Sequence, residues 1–329
     1  MRVSVVVPVY NAMASLPELV SGISGVLAGR CDEFEVVLVN DASTDGSWQV
    51  IRELSSQDSR VRGINLMRNY GQHNALLCGI RAARYEITVT MDDDLQNPPS
   101  EIPKLLSTLA EGFDVVYGYP MRQQHGIWRD LASVTTKWVL KNAMGAATAA
   151  CISAFRAFRT ELREAFSTYR NRYVSIDVLL TYGTTRFAAV QVRHDVRAHG
   201  RSNYTLAKLV THAFNLITGF STMPLKLASW NGFICMGLGI LALLFVLGRY
   251  LIQGGSVPGF PFLASLIVIL SGAQLLALGV IGEYLSRMYA FTIDRPPYTV
   301  REFTEPAHMA VSLGRGDVSS PSTGVGHEL

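Results

Sequence analysis

Cysteine is scarce in this chain of 329 residues, which has only Cys31, Cys78, Cys151 and Cys235. Their separations match neither a metal-ligand spacing nor the dense framework of a small secreted domain. A zinc module and a disulfide scaffold are thereby excluded, and a reducing compartment fits. A strong excess of one charge is also missing, because the net charge of +3 is too small for a nucleic-acid footprint. No signal peptide opens the chain: the first apolar run, Val3 to Val9, is short, starts almost at once and leads straight into a loop, so it reads as a strand. Internal repeats and heptads are absent, and the histidines are too scattered to be given a metal role.

Charge disappears altogether from two long stretches. From Leu227 to Leu247 and from Ile252 to Gly282 no side chain is charged, although Gly254, Gly255, Pro258, Gly259 and Pro261 interrupt the start of the second. A helix needs ~20 apolar residues to cross a bilayer core. The sequence therefore predicts two transmembrane helices, at about 230–251 and 262–282. A buried helical hairpin in a soluble core competes with this reading, but such uncharged lengths exceed ordinary core helices. Lys208 and Lys226 precede the first span, Arg287, Arg295 and Arg301 follow the second, and the connection QGGSVPGFP has no charge, which puts both termini in the cytoplasm. Arg249, near the far end of the first span, can snorkel outward. Gly237, Gly239 and Gly272 offer a small-residue surface for homo-oligomer packing between protomers.

Up to about residue 100, β-rich runs alternate with amphipathic stretches. VSVVVPVY is followed by a helix opened by Ser15, with Glu18 completing a capping box, and then by EVVLVN. A helix from about Ser47 to Ser56, a strand around Val61 to Leu66, a helix from about Gln72 to Ala83 and the strand Ile87 to Met91 continue the series. This βαβ grammar predicts an α/β, mostly parallel, doubly wound sheet. A helix after Pro99 and the strand DVVYGY extend it. A basic, aromatic loop from Pro120 to Asp130, a helical segment to about Lys141 and a strand at Arg186 to Val192 come next. Leu206 to Phe220 reads either as an interfacial amphipathic helix or as soluble-core packing. After Glu305, Gly, Ser, Pro and Thr dominate, and a disordered tail is expected.

The densest cluster of oxygen ligands is MDDDLQNPP, Met91 to Pro99, at the end of the fourth strand, where open parallel sheets place their ligands. In an extended chain, residues two apart face the same way. Asp92, Asp94 and the amide oxygen of Gln96 are therefore expected to meet on one cation, with Asp93 pointing elsewhere. Hard oxygens suit Mg²⁺ or Mn²⁺ holding a diphosphate. The plainer reading is an acidic turn before a helix capped by Ser100.

Taken together, VVPVYN, VNDASTDGS, NYGQH, MDDDLQNPPSEIPKL and IGEYLSRMYAFTIDRPPY resemble family 2 glycosyltransferases of the polyprenyl-phosphate type, from about Val3 to Val300. The likeness is especially close to the undecaprenyl-phosphate 4-deoxy-4-formamido-L-arabinose transferases, and the chain is more broadly similar to dolichol-phosphate mannose synthases and bactoprenol glucosyltransferases. The resemblance implies a GT-A nucleotide-sugar fold, a nucleotide-sugar (UDP-sugar) donor, a polyprenyl phosphate acceptor (undecaprenyl phosphate), a divalent cation, and inverting transfer of one sugar at the cytoplasmic membrane face. It divides the chain into a catalytic domain (1–204), juxtamembrane helices (205–229), a two-helix membrane hairpin (230–284), a cytoplasmic segment (285–303) and a tail (304–329).

The same resemblance assigns residues. Pro8, Tyr10 and Asn11 match the first nucleotide loop, and Asp41 and Asp45 match the acidic pair that recognises the nucleoside. An Asx-turn before a helix is the alternative for that pair. Asp92, Asp94 and Gln96 match the cation trio, and Asp92 and Asp93 are counted with the donor-binding residues. Arg122 and Arg129 match arginines near the phosphates, with a solvated basic loop as the alternative. Arg197 and Arg201 match a segment closing over donor and acceptor phosphates, and an Arg fork suits phosphate well. Asn40 departs from a frequent Asp, Ala12 from a frequent Glu, and Asn203 from a usual Lys. No acid lies between Ala149 and Ser153, which leaves Asp177 as candidate base, with a buried structural Asp as the alternative. A phosphate monoester with a second pKa near ~6 barely needs a base. A processive polysaccharide synthase would carry more spans and a Q-x-x-R-W motif, both absent, and a non-catalytic nucleotide-binding scaffold would not need Asp92, Asp94 and Gln96 intact.

Overall fold

A computed structural model describes residues 1–120, 151–170, 174–195, 223–253, 259–292 and 296–304. The strands are β1 (Arg2–Val9), β2 (Glu33–Asn40), β3 (Val61–Leu66), β4 (Ile87–Thr90), β5 (Val115–Pro120), β6 (Arg156–Arg159), β7 (Phe187–Val192) and β8 (Val300–Phe303). They form one sheet in the order β7-β5-β6-β4-β1-β2-β3-β8. The pairs β1/β2, β1/β4, β2/β3 and β5/β7 are parallel, as the alternation predicts. Strands β6 and β8 run antiparallel to their neighbours and make the sheet mixed.

The helices between strands are α1 (Leu16–Leu27), α2 (Ser47–Gln57), α3 (Gln72–Ala82), α4 (Ile102–Ala110) and α5 (Ile176–Gly183). Period-2 geometry divides the apolar strand residues between two layers. Val3, Val5, Val7 and Val9 pack with Leu19, Ile51 and Leu105 of α1, α2 and α4. Val6, Val37 and Val39 pack with Leu76, Ile80 and Leu179 of α3 and α5. Both faces are covered, which is why the strands are continuous apolar runs rather than alternating ones. Each fully buried Val or Leu side chain contributes ~1.5–3 kcal/mol, so this sandwich is what holds the strand exits in place. The close seat of α3 depends on Gly79, where an added Cβ would press into the Val6 Cγ1 methyl.

Three local expectations change. The Ser15 capping box does not form: Ser15 Oγ donates to the carbonyls of Asp93 (2.6 Å) and Ala12 (3.1 Å), and Glu18 is exposed. Strands β6 and β8, absent from the sequence reading, are short and charged, and sheet pairing rather than pattern defines them. The helix after Pro99 starts as a 3₁₀ turn, Pro99–Glu101, before α4.

Helices α6 (Met223–Gln253) and α7 (Phe260–Thr292) have 31 and 33 residues, about 46 and 50 Å at 1.5 Å per residue. They extend beyond both predicted spans, 230–251 and 262–282, and pack on each other. Large apolar side chains stand open along both, among them Phe233, Leu241 and Phe245 on α6 and Leu275, Leu278 and Met288 on α7. Among the described residues no helix is long and apolar enough to cross a membrane. Most of the expected juxtamembrane segment, and the tail after 304, lie outside the described residues.

Candidate active site

Among the described residues three non-glycine residues have positive φ: Asn11 (55°), Ala42 (52°) and Leu95 (60°). They follow the ends of β1, β2 and β4, so the left-handed backbone gathers at the carboxyl edge of the sheet. An L-residue there costs roughly 1–2 kcal/mol, and such strain persists where surrounding contacts over-determine it, as at ligand sites.

Those contacts are visible. The N–H of Asn11 donates to Ser43 Oγ (3.0 Å), and Asn11 Oδ1 accepts from Thr44 N–H (2.8 Å). Ala12 N–H donates to Ser47 Oγ (3.0 Å) and Met13 N–H to Asp45 Oδ2 (3.2 Å). The β1 and β2 exits are thereby locked into one rim, with Tyr10 exposed above it and Pro8 inside β1. Asp45 is exposed on this rim. Its slight burial raises the carboxyl, but hydrogen bonds from Ser47 and Met13 outweigh that and hold it below the usual carboxylate range.

Asp41 has a different place. It is 3 % exposed, with Oδ1 accepting from Tyr70 N–H (2.7 Å) and Oδ2 from Gly71 N–H (2.8 Å). Burial pushes its carboxyl up, opposed by those two N–H groups. Both oxygens serve the β3 exit, so the structure makes Asp41 a loop clamp and leaves Asp45 as the rim acid. The local Asx-turn before the helix is made by Asp45 instead, whose Oδ1 accepts the Ser47 N–H (3.0 Å) at the start of α2.

The strict alternation expected through Asp92–Gln96 does not hold. Strand β4 ends at Thr90 and the chain turns over residues 93–96, with Leu95 left-handed. Asp92 Oδ1 accepts from Gln72 Nε2 at the start of α3 (2.6 Å), and Asp94 Oδ1 accepts from Gln96 N–H (3.2 Å). Asp93 points to the β1 loop, where its Oδ2 accepts from Tyr10 N–H (3.0 Å). The three acids thus stitch the β1 exit, the α3 start and the β4 turn together, all half-buried. Among the described residues no group of three or more His, Cys, Asp or Glu is gathered to hold a metal. The expected trio has two carboxylates and an amide, and two carboxylates suffice for Mg²⁺, which keeps waters and takes phosphate oxygens. The donor set present therefore fits a hard cation.

Under Asp92 lies a buried network. Arg156 of β6 is 1 % exposed; its Nε donates to Thr90 Oγ1 (3.0 Å) and its Nη1 to Asp177 Oδ1. Tyr117 O–H donates to the same Asp177 oxygen (3.1 Å). Burial opposes the guanidinium charge, but Asp177, Tyr117 and Asp92 outweigh it and raise Arg156 further. The candidate base Asp177 is thus ion-paired with Arg156 within the core. Nothing in the local sequence marks Arg156 as buried. Gln72 belongs to the NYGQH motif. His73 accepts the Ile176 N–H through Nδ1 (3.5 Å) and packs α3 against α5.

Arg122, Arg129, Arg197 and Arg201 lie outside the described residues. The chain leaves the described region after Asp195, whose N–H donates to the Gln96 carbonyl (2.8 Å), directly at the acidic turn.

Residues 4–166 match Glycosyl transferase family 2. An undecaprenyl-phosphate 4-deoxy-4-formamido-L-arabinose transferase from Pseudomonas aeruginosa is 36% identical over 326 residues, 98% of this chain and 96% of the relative. Transferases of the same name from Aeromonas hydrophila (34%, covering 93% of this chain and 94% of the relative) and Shewanella sediminis (36%, 91% and 92%) also match. Among solved structures, a glucosyl-3-phosphoglycerate synthase from Mycobacterium tuberculosis in complex with Mn²⁺, UDP-glucose and phosphoglyceric acid is 22% identical with a TM-score of 0.47, over 66% of this chain and 77% of that one, too distant to bear on the site. With identity of this level along nearly its whole length, the chain belongs to glycosyl transferase family 2 and is a glycosyltransferase.

Proposed function

We propose that this glycosyltransferase moves a single sugar from a nucleotide-sugar, UDP-linked, to a polyprenyl phosphate, undecaprenyl phosphate, at the cytoplasmic face of a membrane it crosses twice. One observation carries the reading: the likeness to the transferases covers 98% of this chain, helical hairpin included, and not the sheet domain alone. Residues 1–204 form the catalytic domain, 230–284 the membrane hairpin, and both termini face the cytoplasm. The open apolar side chains of α6 and α7 support lipid as their surroundings, and Lys226 and Arg287 support that orientation.

The donor diphosphate lies at the rim built from the β1, β2 and β4 exits, with Tyr10, Asn11 and Asp45 on the nucleoside side. Asp92, Asp94 and Gln96 would hold Mg²⁺ or Mn²⁺, which when bound offsets the negative charge growing on the departing nucleoside diphosphate. Asp93 orients the β1 loop through the Tyr10 N–H. Arg122, Arg129, Arg197 and Arg201 supply fixed positive charge for the two phosphates. Arg197 follows Asp195 by two residues, and Asp195 is bonded to the acidic turn, which supports its place. The acceptor phosphate is already anionic at neutral pH and attacks the anomeric carbon without a protein base. Asp177, tied to Arg156, is a structural group. Direct displacement inverts the configuration.

The test uses purified protein with undecaprenyl phosphate, Mg²⁺ or Mn²⁺ and a panel of UDP-sugars, read by lipid mass and product NMR. Transfer from one donor with inversion is expected, together with its loss in Asp94→Ala and on chelation. An Asp94→Ala variant with undiminished transfer removes the cation site, and a product of retained configuration removes the single-displacement mechanism.

A further inference from the structure

Asn40, which departs from the Asp frequent in relatives, has a physical explanation that leads away from the ligand. Asn40 and Asn65 are cross-strand partners in β2 and β3, and Asn65 and Glu302 are partners in β3 and β8. The three residues form one row across three strands, and they are bonded in series. Asn65 Nδ2 donates to Glu302 Oε1 (2.9 Å), and Asn40 Nδ2 donates to Asn65 Oδ1 (2.8 Å). Asn40 Oδ1 accepts from Ser43, at 2.6 Å from the hydroxyl and 3.3 Å from the N–H, and Ser43 Oγ accepts the Asn11 N–H at 3.0 Å. Five residues thus connect strand β8 to the strained β1 loop at the rim.

The direction of this chain of bonds is fixed from one end. A carboxylate only accepts, so Glu302 obliges Asn65 to present its amide NH₂. The Asn65 carbonyl oxygen then faces β2, and residue 40 must donate. An amide can do so and a carboxylate cannot; with an Asp at that position two acceptors would meet in a site where Asn40 is 2 % and Asn65 7 % exposed. The orientation of each amide is dictated by this network and not by any local preference. Glu302 comes ten residues after Thr292, the end of α7, and its strand is pinned by Met67 N–H donating to the Thr299 carbonyl (2.9 Å) and Arg301 Nη2 donating to the Met67 carbonyl (3.1 Å).

We propose that Glu302, Asn65, Asn40 and Ser43 form a directional hydrogen-bond relay by which the strand returning from the helical hairpin sets the conformation of the nucleotide-binding loop at Asn11. These are positioning residues: none of the buried pair Asn40 and Asn65 can reach a ligand, and they act through Ser43 and Asn11. The proposal rests on the reading of that rim as the nucleotide site.

The test compares the full-length wild type with N40D, E302Q and the double variant N40D/E302Q, by calorimetric affinity for UDP with Mn²⁺ and by thermal midpoint. N40D is expected to weaken UDP binding roughly ten-fold, the scale of one buried hydrogen bond lost with its partner left unsatisfied. E302Q alone changes affinity by less than about two-fold, because the glutamine carbonyl still accepts. In the double variant the glutamine can donate instead, the Asn65 amide turns over, and its NH₂ serves the new aspartate, so affinity returns to within about two-fold of wild type. Unchanged UDP affinity in N40D, or a double variant as weak as N40D, overturns the relay. A wild type that binds no UDP defeats the nucleotide reading instead; the relay is then judged by the midpoint, lowered in N40D and recovered in the double variant, and absence of recovery overturns it. If N40D does not fold, a folded double variant supports the relay and an unfolded one overturns it.

Discussion

Replacing Asp177 by Asn separates a catalytic from a structural carboxylate in one measurement. The Arg156 guanidinium is 1 % exposed, and its acidic partner in the core is Asp177, with Asp92 a further anionic neighbour. Removing one member of a buried pair costs ~3–5 kcal/mol, most of it the stranded charge. The amide oxygen of the variant can still accept from Arg156 and from the Tyr117 hydroxyl, and a hydrogen bond to a charged group returns ~1.5 kcal/mol or more. The net loss is then about 2–3 kcal/mol. For a folded unit of this size that is roughly 5–10 °C of melting temperature. The guanidinium stays beneath Asp92 in the variant, so cation and donor binding persist, and kcat should hold within about three-fold, whereas loss of a general base costs ~10²–10⁴-fold. The assay pairs a thermal melt in detergent with steady-state transfer to undecaprenyl phosphate. A D177N protein that melts with wild-type and has lost a hundred-fold or more in kcat refutes the structural assignment and restores Asp177 as the base.

Gly79→Ala should destabilise by ~1–3 kcal/mol through overpacking against Val6 and Val39, although Ala favours a helix by ~1 kcal/mol; a rise in melting temperature would show that α3 is free to shift. Cys78 is buried and its thiol is pushed up to about 12 by burial, so a maleimide at about pH 8 should spare it in the native protein and label it after unfolding, read by peptide mass. Asp41→Asn sets an amide NH₂ against a backbone N–H of the β3 exit and should cost ~1–3 kcal/mol. Because burial raises the Asp41 carboxyl above its unfolded value, the folded state binds that proton more tightly, and this group adds stability as pH falls from neutrality through its folded pKa. The variant should lack that component when urea midpoints are compared across acidic pH, and parallel curves would contradict it.

Reading the strands β1 to β5 and β7 from the sequence worked because each is a β-rich apolar run bounded by turn residues, a local property. The gathering of the β1, β2 and β4 exits at one edge was legible for the same reason, since position at the carboxyl edge follows from βαβ alternation. Strands β6 (RAFR) and β8 (VREF) were not legible. Four residues carrying two charges have no period to detect, and the burial of Arg156 depends on Asp177 arriving from α5, 21 residues later. The acidic turn was located correctly and its internal geometry was not. The alternation rule assumes extended backbone, and Leu95 at φ 60° breaks it.

The amino-acid order alone determined which segments become strands and helices, the family, the long uncharged lengths and the residue types at the rim. These depend on side-chain size, polarity and spacing over a few neighbours. Only the tertiary structure decided what each carboxylate does: Asp41 clamps a loop, Asp93 holds the β1 turn, and Asp177 neutralises Arg156. An acid takes its role from the donors that distant strands bring within hydrogen-bond reach, and that information is spread over segments that meet only when the sheet assembles.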